Sequence, residues 1–137
     1  MRLLPVILGL LLALPAFAQQ NWMVGRWFGY GQPHDKSEMW LEEARPNGRI
    51  HILHRACFQG KAADVTHDGS WSLKGDILTV RIEKVNGQAV PVVQNDVYRI
   101  QSHTQNRQTY RLERTGFVYS SRKVDGKFQM PPCDLAS

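Results

Sequence analysis

The chain has 137 residues, with 17 lysines and arginines against 12 acidic residues and a formal charge of +5. That length suits a single domain. The basic residues are spread among Glu and Asp instead of gathering in a block, so the charge reads as solubility with some attraction to anionic surfaces, and no nucleic-acid partner is expected.

The first 18 residues stand apart from the rest. Arg2, an apolar run from Leu3 to Leu14, then Pro15 and Ala16-Phe17-Ala18 follow the order of a signal peptide: positive n-region, apolar h-region, small-residue cleavage site. A membrane-spanning helix needs about 20 apolar residues. This run is shorter and Gln19-Gln20-Asn21 follow it, so the expectation is cleavage after Ala18, export to the periplasm or beyond, and no stable membrane anchor. No cysteine follows the small residues to carry a lipid. Removing 18 residues from 137 leaves 119, and because Arg2 is the only charge lost, the formal charge falls from +5 to +4. Cys57 and Cys133 are the two cysteines. In an oxidising compartment a bridge between them, tying the C-terminal tail to the body of the domain, is favoured over two free thiols.

From Gly25 onward, short runs of alternating apolar and polar residues are broken by turn residues, with no amphipathic helix, which is the all-β pattern. Gly25 to Tyr30 opens the series and Gly31 to Asp35 loops. Glu38 to Glu43 follows, anchored by Trp40, and Arg45-Pro46-Asn47-Gly48 forms a tight turn. Arg49 to Phe58 is a strand with mixed faces. After Gln59-Gly60-Lys61 come a run around Ala62 to Thr66, an expected turn at His67-Asp68-Gly69, and Ser70 to Leu73. Ile77 to Lys84 is the clearest strand, with Leu78, Val80 and Ile82 on a dry face and Thr79, Arg81 and Glu83 on a wet one. Asn86-Gly87 turns the chain, an extended segment with Pro91 leads to Val97–Gln101, and Thr109 to Arg114 and Phe117 to Val124 complete the set. About eight strands joined by short connections predict an antiparallel up-and-down barrel over residues 19–128, ahead of a Greek-key sandwich, whose long crossovers the turns leave no room for. Residues 129–137, with two prolines, are expected to be a tail packed over one barrel end.

Several of these residues resemble motifs of the small bacterial lipocalin-like (calycin-type) β-barrel family. Gly25-Arg26-Trp27 is similar to the Gly-x-Trp motif that opens lipocalins. Arg45-Pro46-Asn47-Gly48-Arg49 looks like the family's second turn, and Gly69-Ser70-Trp71-Ser72-Leu73-Lys74-Gly75-Asp76-Ile77-Leu78 looks like its Gly-x-Trp, Gly-Asp, apolar-strand sequence. The resemblance covers most of the chain after the signal peptide. It implies that the Trp27 indole closes one end of the barrel beneath an arginine of the last strand, for which Arg122 is the candidate. It also implies a small hydrophobic ligand, no cofactor and no catalysis. The chain is shorter than typical lipocalins, shows no helix after the barrel and lacks a clear second family motif.

Candidate chemistry is sparse. The five histidines are His34, His51, His54, His67 and His103. His51 and His54 form the closest pair, yet a strand sends them to opposite faces, and the rest fall in expected turns, so no metal or haem site is expected. Cys57 lies near His54 and Ser120-Ser121 sits on the last strand, but neither has a nucleophile context, and the adjacent Glu42-Glu43 pair would face opposite ways. No catalytic residue is assigned. Trp40, Trp71, Tyr98 and Tyr110 are the candidate ligand-binding residues, lining a barrel that is either open to a small apolar molecule or filled by its own side chains. The expected function is a monomeric, non-catalytic carrier of a small hydrophobic molecule in the bacterial cell envelope. The alternative is an inhibitor of a protease or other hydrolase that inserts Gln19 to Val24 into an enzyme cleft.

Overall fold

Eight antiparallel strands account for most of the chain: β1 (Gly25–Gln32), β2 (Asp35–Ala44), β3 (Arg49–Phe58), β4 (Lys61–Lys74), β5 (Ile77–Val85), β6 (Gln88–His103), β7 (Arg107–Leu112) and β8 (Val118–Val124). The structure, a computed structural model, describes residues 22–32 and 35–134. The expected signal peptide, residues 1–18, and His34 lie outside the described residues. Each strand pairs with its neighbours in sequence, and β1 also pairs with β8, closing the sheet into a barrel. The all-β, up-and-down barrel expected from the short connections is the fold adopted. Closure satisfies the edges that an open sheet would leave unpaired.

Residues opposite one another on paired strands share a face. Trp27 lies opposite Glu42 and Lys123, Trp40 opposite Gly29 and His54, and Tyr98 opposite Leu78 and Leu112. These side chains point into the barrel. Two stretches depart from the sequence reading. His67-Asp68-Gly69 is not a turn, because β4 runs unbroken from Lys61 to Lys74 and shifts register at Asp68/Gly69 through a bulge. Glycine is required there: a Cβ on Gly69 would lie 1.7 Å from the Arg81 carbonyl oxygen. The segment around Pro91 is likewise part of a strand, the long β6.

One end of the barrel is closed. Met23 and Trp27 are fully buried, and the Trp27 indole Nε1 donates to the Met23 carbonyl at 2.8 Å. Trp22 meets Trp27 edge-on and stacks on His103, with ring centroids 6.2 and 4.0 Å apart. Above this plug lie Ala44, Ile50, Trp71, Leu73, Leu78 and Ile100.

The cation over Trp27 is not Arg122 but Lys123. Its Nζ stands 4.9 Å from the indole centroid and donates to the Trp22 carbonyl at 3.0 Å, and burial lowers its pKa. The reason is strand parity. On β8, Ser121 and Lys123 face inward with Tyr119, so Arg122, opposite Phe28, must face outward. There it lies between the rings of Phe28 and Phe128, 5.4 and 5.1 Å from their centroids.

That outward face carries a second, smaller core. Phe28, Met39 and Cys57 are buried beneath Phe128, Met130 and Cys133 of the tail. The tail therefore covers the outer wall of the barrel rather than one of its ends. A disulfide joins Cys57 to Cys133, with Cα atoms 5.5 Å apart. Arg55 secures the same segment by donating to the Pro131 carbonyl at 2.9 Å, and Arg26 donates to the carbonyls of Asp125 and Phe128. Much of the dispersed positive charge is committed to exposed pairs such as Arg45–Glu43, Arg55–Asp64 and Arg99–Asp76, each of modest worth.

Candidate functional site

The barrel is open at the end opposite the plug. There the inward-facing side chains leave a cavity of about 400 Å³, within the size range of small-molecule sites. Trp40, Tyr98 and Tyr110 line it, as does Tyr119. The four rings form a connected series: Trp40 meets Tyr119 at 5.6 Å, Tyr119 meets Tyr110 at 6.0 Å, and Tyr110 meets Tyr98 at 5.4 Å. Leu78, Val80, Ile82 and Ile52 supply aliphatic wall. Gly29 makes the aromatic wall possible, because a Cβ there would fall 2.5 Å from the Trp40 ring and 2.6 Å from the Ser120 carbonyl.

Trp71, grouped with these aromatics from sequence, does not line the cavity. It stands near the C-terminal end of β4, beside the Arg45–Gly48 turn, with its Nε1 donating to the Arg45 carbonyl at 3.0 Å and its backbone N–H donating to Gly48 at 2.9 Å. It belongs to the closed-end core. An aromatic on the correct face still lies above or below the cavity according to its height along the barrel.

Two lining features were not singled out from sequence. Tyr119 is not among the candidate ligand-binding residues read from the sequence. Glu42 was considered only as half of an adjacent acid pair, although its spacing of two from Trp40 places both on one face. Glu42 is 7 % exposed and its Oε1 has no hydrogen-bond partner. Burial raises its carboxyl from 4.5 to about 7. Gln108, the other buried residue with an unpartnered side-chain oxygen among the described residues, donates from Nε2 to Ser121 at 2.9 Å and does not line the cavity. Glu42 sits deep, opposite Trp27 and Ile52 and two residues before Ala44 at the closed end.

The rim is more polar. Asp96 accepts hydrogen bonds from Arg114 at 3.1 Å and Gln94 at 3.0 Å, and Glu38 approaches His54 at 3.9 Å. His67 lies in β4 facing the cavity rather than in a turn, and burial, reinforced by nearby His54, lowers its pKa below the usual 6.5. His51 faces the other way and pairs with Asp68 at 2.7 Å. Burial, reinforced by the charges of Asp96 and Glu42, raises the Tyr98 hydroxyl well above its usual value, and burial does the same for Tyr110. Both phenols therefore stay neutral at physiological pH, as hydrogen-bonding groups. Among the described residues, no group of three or more His, Cys, Asp or Glu side chains is placed to hold a metal ion.

No protein-family model matches the sequence, and no curated protein matches it either. The closed eight-stranded antiparallel barrel is compatible with a lipocalin-like fold.

Proposed function

We propose that this chain is an exported, non-catalytic binding protein of the bacterial envelope, related to the small bacterial lipocalin-like proteins, that holds a small and largely apolar molecule inside its barrel. The observation that carries this reading is the cavity of about 400 Å³, walled by Trp40, Tyr98, Tyr110 and Tyr119 and open at one end. Aromatic and aliphatic walls with a few polar groups are what a small-molecule site requires. The Cys57–Cys133 bond is in keeping with an oxidising compartment, and residues 1–18 supply the export signal.

Hydrolase inhibition through Gln19 to Val24 draws less support. Met23 is fully buried and Trp22 is stacked on His103, so the described part of that segment is occupied as the barrel's plug.

Native mass spectrometry of protein recovered from the periplasm tests the reading. A bound small molecule is expected in the wild type and absent from Val80→Trp, which fills the cavity from its β5 wall. Protein that is recovered bare and takes up no 1-octanol in calorimetry sinks the carrier reading, and a co-purifying hydrolase would favour the inhibitor.

A further inference from the structure

The carrier reading leaves the ligand's polar end undefined, and the cavity floor constrains it. Glu42 is an acid more than nine-tenths buried, aimed into the cavity, with one carboxyl oxygen lacking any protein partner. An unmet buried polar atom is destabilising, and more so when charged. Of the other two lining carboxylates, Asp96 accepts from Arg114 and Gln94, while Glu38 stands half exposed at the rim, 3.9 Å from His54. Arg114 is the lining arginine, and it is already held by Asp96. A protein of net positive formal charge thus directs an excess of negative charge into its interior, leaving one carboxyl unpaired at the deepest point.

The surrounding rings point to the same chemistry. Trp40, Tyr98, Tyr110 and Tyr119 line the cavity, and the negative face of an aromatic ring attracts a desolvated cation. A carboxylate beneath aromatic walls complements an ammonium group bearing N–H donors. It opposes a carboxylate or phosphate ligand, which would meet Glu42 as a like charge.

Resting on the carrier reading, we propose that the ligand is a hydrophobic amine, with its ammonium group donating to Glu42 at the cavity floor and its apolar body running between the aromatic walls toward the mouth.

Calorimetry at about pH 8, where Glu42 is ionised and an alkylamine is still protonated, with octylamine, 1-octanol and octanoate as matched probes, tests this. Octylamine is expected to bind about ten- to a hundredfold more tightly than 1-octanol, as a charge-assisted hydrogen bond should make it, and octanoate more weakly than either. Glu42→Gln should bring the amine-to-alcohol ratio close to one, and Glu42→Leu guards against a residual amide contact. Equal binding of amine and alcohol, or an amine preference that survives both substitutions, overturns the amine assignment while leaving the apolar carrier intact. Failure of all three probes overturns the carrier reading and this inference together.

Discussion

Replacing Glu42 by Gln should make the barrel more stable at alkaline pH and leave it nearly unchanged in acid. The unfolded chain releases this proton near 4.5, whereas the folded chain holds it until about 7 because burial penalises the charged form. Below 4.5 the residue is neutral in both states and imposes no pH dependence. Between 4.5 and about 7 the folded state binds more protons than the unfolded state, so stability falls as pH rises. At about 1.4 kcal/mol per pH unit, the accumulated loss is about 3 kcal/mol once pH exceeds the folded value. Glutamine keeps the shape of the neutral acid and cannot ionise. Urea unfolding of both proteins across about pH 4 to 8, disulfide intact, measures the difference directly. His67, whose pKa burial lowers, is present in both proteins and largely cancels in the comparison. The gap should open by about 3 kcal/mol in favour of the variant as pH rises through this window. A difference that stays constant with pH would refute a buried, uncompensated carboxyl at this position.

Three further outcomes follow from the closed end and the outer wall. Trp27→Ala, which removes the indole, its bond to Met23 and the platform under Lys123, should cost about 3 to 5 kcal/mol in thermal or chemical unfolding. Lys123→Ala should disturb the same end, shifting the tryptophan fluorescence of the Trp22–Trp27 cluster, while Arg122→Ala leaves that signal in place. Paired Cys57→Ala and Cys133→Ala substitutions should lower stability by about 4 to 5 kcal/mol on the loop-entropy view and speed trypsin cleavage after the already exposed Lys127 by loosening the tail, with the barrel's circular dichroism retained. A tail that stays resistant to trypsin would mean that Phe128, Met130 and the hydrogen bonds from Arg26 and Arg55 hold it without the disulfide.

The strands were legible in the sequence because alternation is a one-dimensional signal and most breaks in it are true turns. Ile77 to Lys84 could be read almost to its ends. The bulge at Asp68/Gly69 was not legible, because a histidine, an aspartate and a glycine have the composition of a turn. What makes them a bulge is the Arg81 carbonyl of the neighbouring strand. Lys123 was missed for a different reason. The choice of Arg122 followed the family's preference for arginine, whereas counting by twos from Tyr119 gives Lys123. Trp40, Tyr98 and Tyr110 could be marked as inward-facing aromatics, but Trp71 could not be separated from them, since its height depends on barrel stagger rather than on pattern. Glu42 lay in plain view at two residues from Trp40. A charged residue on an apolar face was the available signal.

Joining β1 to β8 makes the last strand synthesised the partner of the first. As the chain emerges from its N-terminus, β2 can dock on one side of β1, but the other side waits until Ser121 to Val124 arrive. The plug is then completed by Lys123 reaching the Trp22 carbonyl. Cys133 appears later still, and Cys57 has no other cysteine in the chain with which to react. Oxidation of this pair therefore has a single intramolecular product, and it must wait until Cys133, which follows β8, has emerged.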